Sequence, residues 1–353
     1  MKVKLEKKIL VAMSGGVDST MAAFFLKEQG WQVRGVHFIT PKRVDASDGR
    51  KDTNSVKELK KICNKLGIEC DFFDIRKQFK NQVIDFLIKE YEQGRTPNPC
   101  VVCNYRIKFD KMLRLARKKG FKWIATGHYA RKVKRNRIWF IQRGRDKKRD
   151  QSYFLSGLGS RAIAKCVFPL GERAKEDIKK TARALGLFDK INESRGLCFL
   201  KGRLSDFISR EIKEKSGEIV DEEGNILGKH NGLAKYTIGQ RKDIRVGGKG
   251  PYFVTAKDYR TNRLVVSNIG DAPGLFRDEI KLKLSGENKA LDKTGLKMVI
   301  RYGQEPVEVE KIKLESGNLA SIKVEQKLRA VTPGQIAVFY DLSGVVVMSG
   351  EIC

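Results

Sequence analysis

Two hydrophobic periods alternate over the first 130 residues. Lys8–Met13 (KILVAM) is a short apolar run suited to a buried strand, and Ser19–Gln29 then sets Ala22, Phe25 and Leu26 at helical spacing before Gly30. Gln32–Thr40 reads as a second strand. Asn54–Leu66 reads as a helix with Val56, Leu59, Cys63 and Leu66 on one face, and Glu69–Ile75 as a third strand. Phe109, Met112 and Ala116 line a further helix that ends near Gly120, and Lys122–Thr126 is a fourth strand. Strand alternating with helix predicts an α/β fold with a doubly wound parallel sheet, whose ligands bind beyond the carboxyl ends of the strands. Helical spacing persists through Glu172–Ser209. After Gly217, glycines at 224, 228, 232, 239, 247, 248 and 250 punctuate short segments, which predicts a small β-rich central domain. From about Asp278 the period is two, in Ile280–Leu284, Met298–Tyr302, Val307–Leu314, Ile336–Tyr340 and Val345–Met348, as expected of a C-terminal β-barrel. The expected domains are 1–210, 211–276 and 277–353.

Charge adds a partner to this picture. The 353 residues include 72 Lys+Arg against 42 Asp+Glu, a net charge of +30, so acids do not keep pace as they would on an ion-paired surface. An excess of this size predicts a polyanionic partner, most simply nucleic acid. No apolar run is long enough to span a membrane, and the first residues lack the pattern of a secretory signal. Seven cysteines are too few for a disulfide scaffold, and thiols in a reducing cytoplasm are expected.

The first strand runs into Ser14-Gly15-Gly16-Val17-Asp18-Ser19 and then a helix. Such a unit presents backbone N–H groups and a positive helix end to phosphate, and glycine lets the backbone approach closely. Ser14 and Ser19 can add hydroxyl donors, and Asp18 can hold a metal ion or brace the loop. Neither Gly-x-x-x-x-Gly-Lys-Ser/Thr nor Gly-x-Gly-x-x-Gly is present. The hexapeptide resembles the phosphate loop of the PP-loop ATP pyrophosphatases, which cleave ATP to AMP and pyrophosphate while adenylating a substrate oxygen.

Cys100 and Cys103 lie in Thr96-Pro-Asn-Pro-Cys-Val-Val-Cys-Asn104, a proline-stiffened loop expected to precede a helix; nearby cations and the helix end predict lowered thiol pKa values. Cys198 lies in Ser194-Arg-Gly-Leu-Cys-Phe199, also beside cations. A second CxxC that would complete a four-cysteine zinc site is missing. Cys63 falls on an apolar helical face and reads as core.

Ser14–Ser19, Thr96–Asn104, Ala125-Thr-Gly-His-Tyr-Ala-Arg131, Asp150-Gln-Ser-Tyr-Phe-Leu155, Phe168-Pro-Leu-Gly171, Gly196-Leu-Cys-Phe199, Tyr236-Thr-Ile-Gly-Gln-Arg-Lys242 and Val331-Thr-Pro-Gly-Gln335 occur in this order. Together they resemble the bacterial tRNA-specific 2-thiouridylase family over nearly the whole chain. The resemblance implies a PP-loop catalytic domain, a small central domain and a C-terminal β-barrel. It implies ATP with Mg2+ bound at Ala12, Met13, Ser14, Gly15, Gly16, Val17, Asp18 and Ser19, with the adenine near Phe38 and Gly127. It implies adenylation of O2 of the wobble uridine in Lys, Glu and Gln tRNAs, then sulfur delivery from a Cys198 persulfide fed by a cysteine desulfurase or sulfur-relay protein, with Cys103 as partner thiol. AMP is a good leaving group where a carbonyl oxygen is a poor one, and a persulfide is a soft nucleophile.

The resemblance also assigns Asn98, Pro99 and Cys100 to the target base, and His128, Arg149, Asp150, Gln151, Arg301, Tyr302 and Gln335 to tRNA. Arg131–Arg149 holds ten Lys/Arg and one acid, interleaved with Trp139 and Phe140, a pattern that can track phosphates and stack a base or form a solvated hairpin face. Many family members carry Asp where this chain has Cys100. That departure leaves three cysteines, Cys100, Cys103 and Cys198, as alternative ligands of a [4Fe–4S] cluster. A PP-loop amidating synthetase acting on a small molecule is the competing reaction class, and it leaves the charge and the paired cysteines without a use.

Overall fold

The computed structural model describes residues 7–41, 53–188, 196–200, 202–244, 246–247, 251–285 and 294–353. The expected contributions of Ser194, Arg195, Gly248 and Gly250 lie outside the described residues. The chain forms two compact units: Met1–Gln82 with Cys100–Lys201 and Ser343–Val346, and Val83–Pro99 with Gly202–Leu342 and Val347–Cys353. No helix among the described residues is long and apolar enough to cross a membrane.

The first unit is built on five parallel strands: β1 (Lys8–Ala12), β2 (Gln32–Ile39), β3 (Glu69–Asp74), β4 (Trp123–Ala125) and β7 (Cys166–Val167), in the order β3-β2-β1-β4-β7. β1 is central, with Ile9 registered between Val33 and Trp123. Ile9, Leu10 and Val11 are fully buried, the continuous apolar run required of a strand covered on both faces. The helix Val17–Glu28 buries Met21, Ala22 and Leu26 in one core with Leu59 and Cys63 of the helix Thr53–Leu66 and with Ile178 and Ala182 of the helix Lys175–Ala184. Chain order reverses between β1 and β4, and the crevice at that switch point is where such sheets bind ligands. Strands β5 (Ala130–Arg135) and β6 (Ile138–Arg143) form a separate hairpin.

In the second unit β8 (Gly217–Val220), β9 (Ile226–His230), β10 (Phe253–Asp258) and β11 (Arg263–Ser267) make a sheet in the order β10-β11-β8-β9, packed on Ile219, Leu233, Val254, Leu264 and Val266. A closed barrel follows: β12 (Phe276–Ser285), β13 (Lys297–Val299), β14 (Val307–Leu314), β15 (Leu319–Arg329), β16 (Ile336–Tyr340) and β17 (Val346–Ile352), in the order β12-β15-β14-β13-β16-β17. Pairing of Leu282 with Ile352 closes it and leaves no open edge. The expected central domain and barrel are both present. The sequence pattern omitted β15, and the strand expected over Met298–Tyr302 stops at Val299, leaving Arg301 and Tyr302 in a turn.

Candidate active site

β1 delivers the chain into a tight turn. Gly15 adopts φ +85°, a left-handed conformation that glycine takes without strain. Gly16 caps the helix that starts at Val17, so the free amides of a 12-residue helix open where the strand ends. The two serine hydroxyls turn inward. Ser19 Oγ accepts from the Ser14 amide at 3.1 Å and donates to the Gly16 carbonyl at 3.1 Å, while the Gly16 amide donates to Ser14 Oγ at 3.3 Å.

Asp18 is held from two sides. The Tyr129 hydroxyl donates to its Oδ1 at 2.7 Å, and Lys175 Nζ donates to the same oxygen at 2.5 Å. Lys175 is only 5% exposed. Burial, and next the Asp18 charge, push the Tyr129 phenol far above its usual range, so it remains a proton donor. Of the two uses expected for Asp18, the contacts fit the brace. Neither Tyr129 nor Lys175 was singled out from sequence; their partner lies 111 and 157 residues away, and no local signal links them.

Gly127 lies just beyond the carboxyl end of β4. A Cβ there would come within 2.6 Å of the Asp18 carbonyl carbon and 2.7 Å of the Ser19 amide nitrogen. Backbone cannot yield as a flexible side chain does. Gly127→Ala should therefore displace the loop and lower the tRNA-dependent pyrophosphate release that the resemblance implies by roughly tenfold or more, in line with the cost of overpacking. An unchanged rate in a pyrophosphate-release assay would show that the close approach is dispensable.

A cleft of about 440 Å³ opens at this point of the first unit. Ala12, Met13, Ser14, Gly16, Asp18 and Ser19 line one side. Phe38, Gly127, His128, Gln151 and Cys198 complete the set of sequence-predicted residues that meet there, while Gly15 and Val17 support the turn from outside the lining. Lys108, which the sequence reading passed over, also faces the cleft.

The cysteines depart from expectation in two respects. Cys100 and Cys103 do not precede a helix; they belong to it, in Pro99–Cys103, with proline in the first turn where its missing N–H costs nothing. Their pKa values are not lowered. Burial pushes the Cys100 thiol up, and pushes Cys103 up to about 11, because desolvation outweighs the attraction of the Lys108 ammonium. Cys103 is 4% exposed, Cys100 is half-buried, and Cys198 is exposed. Cys198 is nonetheless anchored. Its neighbour Phe199 is 2% exposed and meets Phe79 edge-on, with ring centroids 5.6 Å apart. A negative charge at Cys198 would push both thiols further up, a smaller effect than burial. Cys63 is core, as expected.

Family models match three successive segments: tRNA methyl transferase HUP domain over residues 7–202, tRNA methyl transferase PRC-barrel domain over 205–268, and aminomethyltransferase beta-barrel domain over 280–352. The tRNA-specific 2-thiouridylase MnmA 1 of Fusobacterium nucleatum is 38% identical, covering 98% of this chain and 93% of that one. MnmA 1 of Geobacillus kaustophilus is 37% identical over 95% of this chain and 93% of its own, and MnmA of Clostridium botulinum strain Alaska E43 is 37% identical over 98% of each. This chain belongs to the tRNA-specific 2-thiouridylase family.

Within this 2-thiouridylase fold, the residues assigned to tRNA divide by environment. His128 stands in the cleft, with Nδ1 2.8 Å from Thr126 Oγ1 and its ring 6.0 Å from that of Phe109. Burial, reinforced by Lys108, lowers its pKa to about 3, so it is a neutral imidazole rather than a phosphate-binding cation. A histidine neutral in the fold but protonated when unfolded contributes stability above its reference value of 6.5, and that stability drains away as pH falls toward 3. His128→Gln should flatten this part of the acid stability curve, measured by the urea midpoint against pH; an unaltered slope would assign the acid sensitivity to other groups.

Gln151 Oε1 accepts from the Tyr129 amide at 3.0 Å, and the Asp150 carboxylate accepts from the Gly144 and Ser152 amides at 3.0 Å each, so both hold the turn after the hairpin. Arg149 is half-buried beside them. The hairpin is a poorer stacking platform than its text suggests. Phe140 is 4% exposed and belongs to the core, and Trp139 is already covered by Lys132 at 4.5 Å. In the second unit, Gln335 Nε2 donates to the Thr96 carbonyl at 2.6 Å, and Arg301 donates to Ala330 O and to Thr332 Oγ1. Asn98 is half-buried, Pro99 is buried, and Tyr302 is 46% exposed.

Proposed function

We propose that this protein is an ATP-dependent tRNA-uridine 2-sulfurtransferase that adenylates O2 of the wobble uridine and replaces it with sulfur. The observation that carries the reading is the meeting of an intact phosphate loop and Cys198 in one cleft of the first unit. Mg2+–ATP enters as substrate, with its phosphates on the amides of Ser14–Ser19 and its adenine toward Phe38 and Gly127. The uridine O2 attacks the α-phosphorus and pyrophosphate leaves. The terminal sulfur of a Cys198 persulfide then attacks C2, and the C2–O bond breaks as AMP departs. Cys103 attacks Cys198 Sγ, the S–S bond to the transferred sulfur breaks, the Cys103 proton passes to the departing thiouridine anion, and the product is 2-thiouridine with a Cys103–Cys198 disulfide. A cellular dithiol reduces that disulfide, and a cysteine desulfurase or sulfur-relay protein reloads Cys198.

A [4Fe–4S] cluster on Cys100, Cys103 and Cys198 fits poorly. Among the described residues no three His, Cys, Asp or Glu side chains are gathered closely enough to hold a metal ion. The wobble uridines of Lys, Glu and Gln tRNAs are the proposed targets, the cytoplasm the proposed compartment, and 1–210, 211–276 and 277–353 the proposed functional segments. Asn98, Pro99 and Cys100 are proposed to border the target base, with Arg149, Arg301, Tyr302 and Gln335 bordering the tRNA backbone directly or through the turns they hold. Purified protein given tRNA, Mg2+–ATP and a sulfur source should release AMP and pyrophosphate in a tRNA-dependent manner. ADP and phosphate would overturn the proposal, and pyrophosphate exchange without tRNA would favour a small-molecule synthetase.

A further inference from the structure

Between Cys103 and Lys108 the helix changes pitch. Asn104–Phe109 is a π-helical turn, preceded by the α-helical Pro99–Cys103 and followed by the α-helical Asp110–Lys118. In an α-helix the fifth residue on lies about 140° round the axis from the first. The wider π turn, closed by i→i+5 hydrogen bonds, brings it back to nearly the same face, and such turns concentrate at functional sites. The turn thus carries Lys108 round to the side of Cys103. Lys108 also lines the cleft together with Cys198, and although burial works against its charge, the fields of Cys103, Cys198 and Cys100 raise its pKa. Among the described residues no carboxylate forms an ion pair with it. A half-buried cation that shares a polyphosphate-sized cleft with Cys198, with no carboxylate ion-paired to it among the described residues, is a charge awaiting an anion.

We propose that Lys108 is the counter-ion of the sulfur-transfer site: the π turn sets its ammonium where it holds the negative charge of the terminal sulfur as that sulfur passes from Cys198 to the uridine. The proposal rests on the sulfur-transfer reading above and adds to it a residue that acts on the sulfur itself. The ammonium forms and breaks no covalent bond. It lowers the energy of the anionic sulfur, draws anionic carriers into the cleft, and opposes the mutual repulsion of neighbouring thiolates.

The test compares two alkylating reagents of similar size on the full-length protein, with each cysteine followed separately by mass spectrometry. Iodoacetate is anionic and iodoacetamide is neutral; both consume the same thiolate, so the ratio of their rates cancels the thiolate fraction and reports the local potential. At low salt the iodoacetate/iodoacetamide ratio at Cys198 should exceed that at exposed Cys353 in the wild-type protein. Lys108→Met should lower it roughly tenfold, and Lys108→Arg should keep it within about twofold. High salt should shrink the wild-type excess. A purely structural role for Lys108 would leave the ratio unchanged in Lys108→Met, and that result overturns the proposal. So does a wild-type ratio at Cys198 no higher than at Cys353, a measurement that needs no variant. Thiolation at the wild-type rate by Lys108→Met also overturns it. Because the ratio is read without tRNA or ATP, failure of the thiolation reading would appear as absent product with the ratio intact.

Discussion

Cys198→Ser should leave tRNA-dependent formation of AMP and pyrophosphate largely in place while thiolated tRNA falls by about 1,000-fold or more, as expected when a covalent nucleophile is removed. The separation follows from position. The loop, its Asp18 brace and Gly127 are independent of Cys198, whose side chain is exposed at the rim of the cleft. Cys103 cannot take over the carrier's place, because it is buried and does not line the cleft. The serine hydroxyl fills nearly the same volume beside the anchored Phe199, so folding should be unaffected. Nucleoside mass spectrometry alongside pyrophosphate release makes the comparison. Thiolated uridine from the variant would remove Cys198 as carrier, and loss of pyrophosphate release would mean that sulfur loading precedes and gates adenylation.

The second large effect is at Asp18. Asp18→Ala should reduce tRNA-dependent pyrophosphate exchange by roughly 100-fold or more, with tRNA affinity within about twofold of wild type. The substitution also strands Lys175, whose side chain is 6% exposed against 34% for Asp18. A fully buried pair that loses one partner costs about 3–5 kcal/mol, and the partial exposure here places the expected loss near 2–3 kcal/mol. The two consequences separate in a double variant. Adding Lys175→Met to Asp18→Ala should recover most of the stability in urea denaturation and none of the exchange. A single variant as stable as wild type would mean that water satisfies the ammonium; exchange restored in the double variant would mean that Asp18 serves only to neutralise Lys175.

The strands and helices around the loop were legible because their signals are local. Ile9, Leu10 and Val11 form an unbroken apolar run, glycine follows it, and Ala22 and Leu26 are helically spaced. β15 was not legible for an equally local reason. In LASIKVEQKLR the alternation of Ala320, Ile322 and Val324 is short, Glu325-Gln326-Lys327 interrupts it before Leu328, and the long-range pairing with β12 and β14 carries the strand across that break. The thiol pKa values failed differently. The lysines and arginines near Cys103 are visible in the text, whereas the burial that overrides them depends on side chains brought in from elsewhere. The phosphate loop and Cys198 could be found as motifs. Lys108, Lys175 and Tyr129 could not, because a change of helical pitch and contacts more than a hundred residues apart leave no periodic trace.

The placement of residues 83–99 bears on how the protein can be taken apart. Thr96 receives a hydrogen bond from Gln335 and donates its amide to Pro333 at 2.8 Å, Lys257 donates to the Gly94 carbonyl at 2.8 Å, and Arg95 pairs with Glu90 and Glu351. The first unit is therefore not a continuous stretch of polypeptide. A fragment ending at residue 210 would retain this segment but lose every one of those fastenings except Glu90, and coexpressing the two pieces would be a more promising dissection than expressing either by itself.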